Sequence, residues 1–163
     1  VTVSVMSMFQ PFIDQLTVLS IFIPLIISSG GNTGSQAATL VIRALAVQDI
    51  DLSDWFRVLG RECLMGLSMG AILGLVALLR VYYFPGAEIH VPAFLLSLTV
   101  SLSVLGVVTF GTLVGCMLPF ILRSIGFDPA LSSSPLVATC MDTLGVMIYF
   151  TIAIFILSRF LAT

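Results

Sequence analysis

Four long apolar runs, at about 15 to 45, 55 to 83, 92 to 123 and 130 to 161, leave this 163-residue chain few ways to fold. Each exceeds the roughly 20 residues a helix needs to cross the hydrocarbon of a bilayer. Backbone polar groups find no water there, so an isolated spanning segment must bond its own N–H and C=O groups as a helix. Composition agrees: 59% of residues are hydrophobic and 9% charged, against roughly 25% charged in a soluble domain. The expected class is therefore an all-α integral membrane protein. The chain starts with Val, and its first apolar stretch, VTVSVMSMF, is too short to cross. This stretch is expected to be the remaining half of a truncated first helix, giving a five-helix bundle per subunit. No signal-peptide pattern is visible. The weak net charge of −2 argues against nucleic acid as a partner.

The charges that do occur mark the connections. Arg43, Arg57 and Arg61 share one side with Arg123, whereas Arg80 and Arg159 fall on the other. The positive-inside rule then puts the 43–61 loop and the 124–129 turn in the cytoplasm, and Glu88 and His90 in an external loop. Trp55 and the Tyr82–Tyr83 pair fit interfacial aromatics. The segment DLSDW (Asp51 to Trp55) resembles an N-cap with acidic first-turn residues opening a helix. Cys63, Cys116 and Cys140 have neither a C-x-x-C pair nor zinc spacing and read as buried free thiols. Glycines recur at packing intervals: Gly30 and Gly34, then Gly66, Gly70 and Gly74, then Gly111 and Gly115. Pro24, Pro119 and Pro135 lie inside apolar runs and should loosen or kink them.

Two stretches are too polar for lipid. In the last run Asp142 lies roughly 20 Å along a helix starting near Pro129, close to the bilayer midplane. A carboxylate at that depth is costly and points to function. No Arg lies at comparable depth to pair with it, although protonation or pairing with the Thr139 and Thr143 hydroxyls would make it structural. In the second run, Gly30, Gly31, Asn32, Thr33, Gly34, Ser35 and Gln36 interrupt an apolar segment and must face protein or water. One reading is a packing face on Gly30 and Gly34, with Asn32 and Gln36 as interhelical hydrogen-bond donors. The other is a cavity wall in which Gly31 and Gly34 present backbone carbonyls and Asn32 its amide. It is no phosphate-binding P-loop, since the chain has no lysine.

One Asp per chain is a poor cage for a dehydrated ion. Two Asp142 side chains on a two-fold axis would form the acidic ring of a cation-selective pore. Mg²⁺ keeps several of its waters and binds through one or two carboxylates, which suits such a site with Ala138 and Gly31 carbonyls around it better than Ca²⁺. Transition metals would favour His or Cys.

Three segments, Pro24 to Ala37 (PLIISSGGNTGSQA), Arg61 to Gly70 (RECLMGLSMG) and Ser134 to Gly145 (SPLVATCMDTLG), together resemble the transmembrane domain of the MgtE family of magnesium channels. The resemblance covers essentially the whole chain. It implies a homodimer of five helices per subunit with the pore at the subunit interface, lined by the second and fifth helices. It implies that Asp142 holds hydrated Mg²⁺, both transported ion and pore ligand, with Ala138, Gly31 and Gly34 as main-chain contributors and Asn32 as a wall residue. Glu62 matches a family acidic position near the cytoplasmic end of the third helix, where only packing is expected of it. Typical members add a cytoplasmic acidic domain and a paired nucleotide-sensing module. Residues 1–163 are therefore expected to be the transmembrane pore domain without those regulatory domains, closed less completely by internal Mg²⁺.

The resulting expectation is a dimeric, Mg²⁺-selective channel in a bacterial inner membrane, its partners the bilayer, Mg²⁺ and a second copy. A cation-coupled secondary transporter using Asp142 is the main alternative, disfavoured by the lack of an internal repeat and of a second intramembrane carboxylate. A structural membrane subunit is a third. An enzyme is least expected, because no nucleophile and base accompany Asp142.

Overall fold

The computed structural model describes residues 2–15, 17–84 and 91–161, the side chains of 14–15, 131–133 and 159–161 excepted. The described residues are helical, with no strand. Two short helices, α1 (Thr2–Met8) and α2 (Gln10–Gln15), lead through a 3-10 segment (Thr17–Phe22) into α3 (Ile23–Ala46). A second 3-10 turn (Leu52–Asp54) opens α4 (Trp55–Tyr83), followed by α5 (Ala93–Ser124) and α6 (Pro129–Leu161). Four helical stretches, Thr17–Ala46, Leu52–Tyr83, Ala93–Ser124 and Ser134–Ser158, are long and apolar enough to cross a membrane. These match the four runs, and Glu88 and His90, expected in an external loop, lie outside the described residues.

One local expectation changes. The second run is not one α-helix from its start: residues 17–22 are wound as 3-10, and Pro24 sits at the opening of α3. A first-turn proline lacks only an N–H that would be unpaired anyway, so it starts this helix and does not kink it. The first apolar stretch forms the short helix α1, and α2 follows it after a turn at Phe9. Val5, Met6, Phe9, Phe12 and Ile13 pack against the core, Phe9 stacks on Phe150 at 5.0 Å between ring centroids, and Thr2 Oγ1 lies 3.1 Å from Thr143 Oγ1. Pro119 and Pro135 lie inside α5 and α6, which run on through them. At the Asp51 turn the backbone N–H of Asp51 donates to Asp54 Oδ2 (2.9 Å), the reciprocal half of a capping box.

The bundle is organised around α5, which packs against α3, α4 and α6 and buries Leu96, Val100, Val104, Val107 and Val108. Where apolar burial gives no net drive between helices, close backbone approach does the holding, and glycines provide it twice. On α4, a Cβ at Gly66 would meet Thr109 Cα at 3.0 Å, at Gly70 Leu105 O at 3.0 Å, and at Gly74 Ser101 O at 2.9 Å. Between α3 and α5 four glycines interleave as a ladder. A Cβ on Gly111 would reach Gly30 O at 2.6 Å, one on Gly34 would reach Gly111 O at 2.7 Å, and one on Gly115 would collide with Gly34 O. The Arg123 guanidinium donates to Leu45 O (2.9 Å), tying the C-terminal ends of α3 and α5 together. The buried Tyr149 hydroxyl donates to Leu19 O (2.9 Å), fastening α6 to the 3-10 segment.

Candidate functional site in the membrane-spanning helices

The ladder decides which side of α3 is left over. Gly30, Gly34, Ala37, Ala38, Val41 and Leu45 are buried. Ser28, Asn32, Gln36, Thr39 and Arg43 are exposed, and their steps of four, four, three and four residues place them on one helical face. Asn32, Ser35, Gln36, Thr39 and Leu40 line an open groove of about 480 Å³ along this face. The Asn32 amide donates to Ser28 Oγ (3.2 Å), while the Thr39 hydroxyl donates back to Ser35 O (2.8 Å). Polar side chains this far inside a spanning helix must meet water or another protein surface rather than lipid.

Helix α6 runs antiparallel to α3, and its register follows from the glycine contacts. A Cβ at Gly34 would touch Val137 Cγ1 at 2.7 Å, and one at Gly30 would touch Met141 Cε at 2.9 Å. Ser35 Oγ donates a long, weak hydrogen bond to Ser134 O (3.4 Å). Continuing this register puts Asp142 at the level of Ser28 and Ser29, and Ala138 at the level of Asn32. Asp142 is partly buried and has no hydrogen-bond or ion-pair partner among the described residues. The Thr139 hydroxyl is committed to Pro135 O (2.9 Å) and Thr143 to Thr2, so neither neighbour engages the carboxylate. Ala138, one turn before Asp142, is also partly buried.

The two readings of the glycine-rich stretch turn out to belong to different glycines. Gly30 and Gly34 are packing positions. The Gly34 carbonyl, expected as a cavity contributor, lies against Gly115 of α5, where an added Cβ would collide with it. Gly31 has nothing within 4 Å of where a Cβ would stand, so its backbone is open, and Asn32 lies exposed on the groove. Ser28 and Thr39 were missed by sequence reasoning, although their spacing from Asn32 and Gln36 carries the signal. Glu62, expected near the cytoplasmic end of its helix, is the eighth residue of α4 by count from Trp55 and is partly buried. Of the cysteines, Cys116 is buried, while Cys63 and Cys140 are partly so, and all three are free. No group of three or more His, Cys, Asp or Glu side chains able to hold a metal occurs among the described residues. Among the described residues, then, Asp142 is the charged side chain at this depth of the α3–α6 face.

Residues 23–152 match the family model MgtE, described as a divalent cation transporter. The chain is 43% identical over 153 residues, 94% of its length, to the magnesium transporter MgtE of Thermus thermophilus. It is 32% identical over 152 residues, 93% of its length, to the protein of the same name from Enterococcus faecalis, and 32% identical over 151 residues, 92% of its length, to that of Bacillus subtilis. In each case it spans 32% of the relative's length.

Proposed function

Because this chain belongs to the MgtE family of divalent cation transporters, we propose that it forms the membrane pathway of a homodimeric Mg²⁺ channel, lined by α3 and α6. The observation that carries the reading is an unpartnered Asp142 carboxylate at the same depth as the open polar face of α3. The magnesium-transporter names of three bacterial relatives support the choice of ion. Mg²⁺ sheds water reluctantly, so it passes with its hydration shell largely kept. That shell is held by the Asp142 carboxylates of two subunits and by hydrogen bonds to the Gly31 and Ala138 carbonyls and the Asn32 amide. Two carboxylates facing one another repel, and a divalent cation between them removes the cost. The second copy also covers what one chain leaves open, since the groove on α3 would otherwise face lipid. The membrane is the bacterial inner membrane, with the Arg-rich 43–61 loop in the cytoplasm.

The test is Mg²⁺ flux into proteoliposomes under an imposed voltage without a pH gradient, comparing the unaltered chain with Asp142→Asn and Asp142→Ala. Both variants should lose flux by about tenfold or more, the scale on which even indirect partners of a metal ligand act, while eluting as folded protein. Undiminished flux would remove Asp142 from the pathway. The coupled-transporter reading keeps one observation in its favour, the partly buried carboxylate of Glu62 in α4. Repeating the measurement with an imposed pH gradient separates the two: channel flux ignores it, and proton-coupled flux follows it.

A further inference from the structure

The polar face of α3 ends on a charge. Arg43 is exposed, lies in the last turn of the helix and follows Ser28, Asn32, Gln36 and Thr39 along the same face. It stands one turn beyond Thr39 and Leu40, which line the α3 groove. Its guanidinium makes no hydrogen bond or ion pair among the described residues. Other arginines near this end are placed differently. Arg123 is held by Leu45 O (2.9 Å) and shares a cavity with Asp128. Arg57 and Arg61 are exposed on α4 and, at steps of four and three, share a face with Leu64, on the side turned from Gly66 and α5.

A basic residue at the cytoplasmic end of a spanning helix satisfies the positive-inside rule, and in a last turn it also suits the helix dipole. Those reasons are enough for a charge above an apolar face, which meets lipid headgroups. A charge at the end of a polar face stands where the groove opens. Asp49, Asp51 and Asp54 follow on the connection, after the left-handed turn at Gln48 (φ 58°), and none pairs with Arg43 among the described residues. At the opposite end the exposed polar face begins with Ser28, which is uncharged.

We propose that the two Arg43 side chains of the dimer form a cationic ring at the cytoplasmic mouth of the pathway, so that Mg²⁺ passes inward more readily than outward. The inference rests on the α3–α6 pathway proposed above. A positive ring depletes cations at the mouth it surrounds, and the local ion concentration there sets how often an ion enters from that side. At a separation of about 8 Å, one Debye length at physiological ionic strength, two unit charges lower the local concentration of a divalent cation about fourfold. The penalty falls on entry from the cytoplasm, because an ion entering from the other side meets the ring only after passing Asp142.

The test is the ratio of outward to inward Mg²⁺ current at equal and opposite voltages, in inside-out patches holding the full chain with the same Mg²⁺ solution on both faces. Arg43→Gln should raise the ratio about fourfold, Arg43→Glu should raise it further, and Arg43→Lys, which keeps the charge, should leave it near that of the unaltered chain. Choline chloride at about 1 M on the cytoplasmic face shortens the Debye length to about 3 Å and should erase the difference between the unaltered chain and Arg43→Gln. Should Arg43→Gln fail to fold, judged by elution volume, a rise of the ratio with salt in the unaltered chain carries the test. A ratio indifferent to Arg43→Gln, one shifted as far by Arg43→Lys, or a difference that persists at high salt overturns the proposal. Mg²⁺ current indifferent to Asp142→Asn removes the pathway reading and the ring with it. Current lost in Asp142→Asn, with a ratio indifferent to Arg43→Gln, removes the ring alone.

Discussion

Helices α3 and α4 solve the same packing problem and then diverge. Each approaches α5 through glycines spaced four apart, Gly30 and Gly34 on one, Gly66, Gly70 and Gly74 on the other. Turned away from α5, α4 presents Leu64, Ile72, Leu75, Val76 and Leu79, a surface that hydrocarbon solvates at no cost. Helix α3 instead presents Ser28, Asn32, Gln36 and Thr39. Glycine spacing therefore identifies which helices touch α5 and says nothing about what they do. The outward face carries that information, because only a helix bordering water or a second protein surface can keep amides and hydroxyls at membrane depth.

The comparison can be broken at its shared part first. Gly115→Ala drives a methyl group into the Gly34 carbonyl, and backbone cannot rotate away as a side chain can. Overpacking typically costs about 1–3 kcal/mol, and this contact should lie at the upper end, seen as loss of monodisperse protein or a lowered unfolding midpoint in detergent. Next come the outward faces. Ile72→Asn puts an unpaired amide on the apolar face of α4, at about 1–3 kcal/mol. Asn32→Leu should leave stability within about 1 kcal/mol, since it gives up one exposed amide-to-hydroxyl bond, while Mg²⁺ flux falls. Equal destabilisation by the two changes would erase the distinction between the faces. The smallest effect has the opposite sign: Gly31→Ala meets nothing within 4 Å and should stabilise α3 by about 0.5–1 kcal/mol. Reduced flux in that more stable variant would sharpen the assignment of Gly31 to the pathway wall.

Which of these features could be read from the residues alone follows the same division. Apolar length located all four spans, because a run of this length can satisfy its own backbone groups in hydrocarbon only as a helix. The glycine intervals correctly marked packing faces. What the residues could not supply was register: Gly31 and Gly34 look equivalent in a polar stretch, and only the position of Gly111 and Gly115 on α5 makes one open and the other closed. Pro24 misled for a similar reason, since a proline opening a helix and one inside it differ only in where the preceding 3-10 segment ends. Asp142 was visible at once because a lone charge in an apolar run has few innocuous explanations. Glu62 was harder to weigh, because Arg57 and Arg61 beside it mark the end of a span where a carboxylate is unremarkable.

Finally, the bond from Arg123 to Leu45 O joins residues 78 apart in sequence. Mechanically it is a strut: the end of α5, just before the connection to α6, is hinged to the last turn of the helix that carries the polar face. A tug on that connection reaches α3 through this guanidinium as well as through the Val41 and Leu45 side chains seated on Cys116 and Phe120.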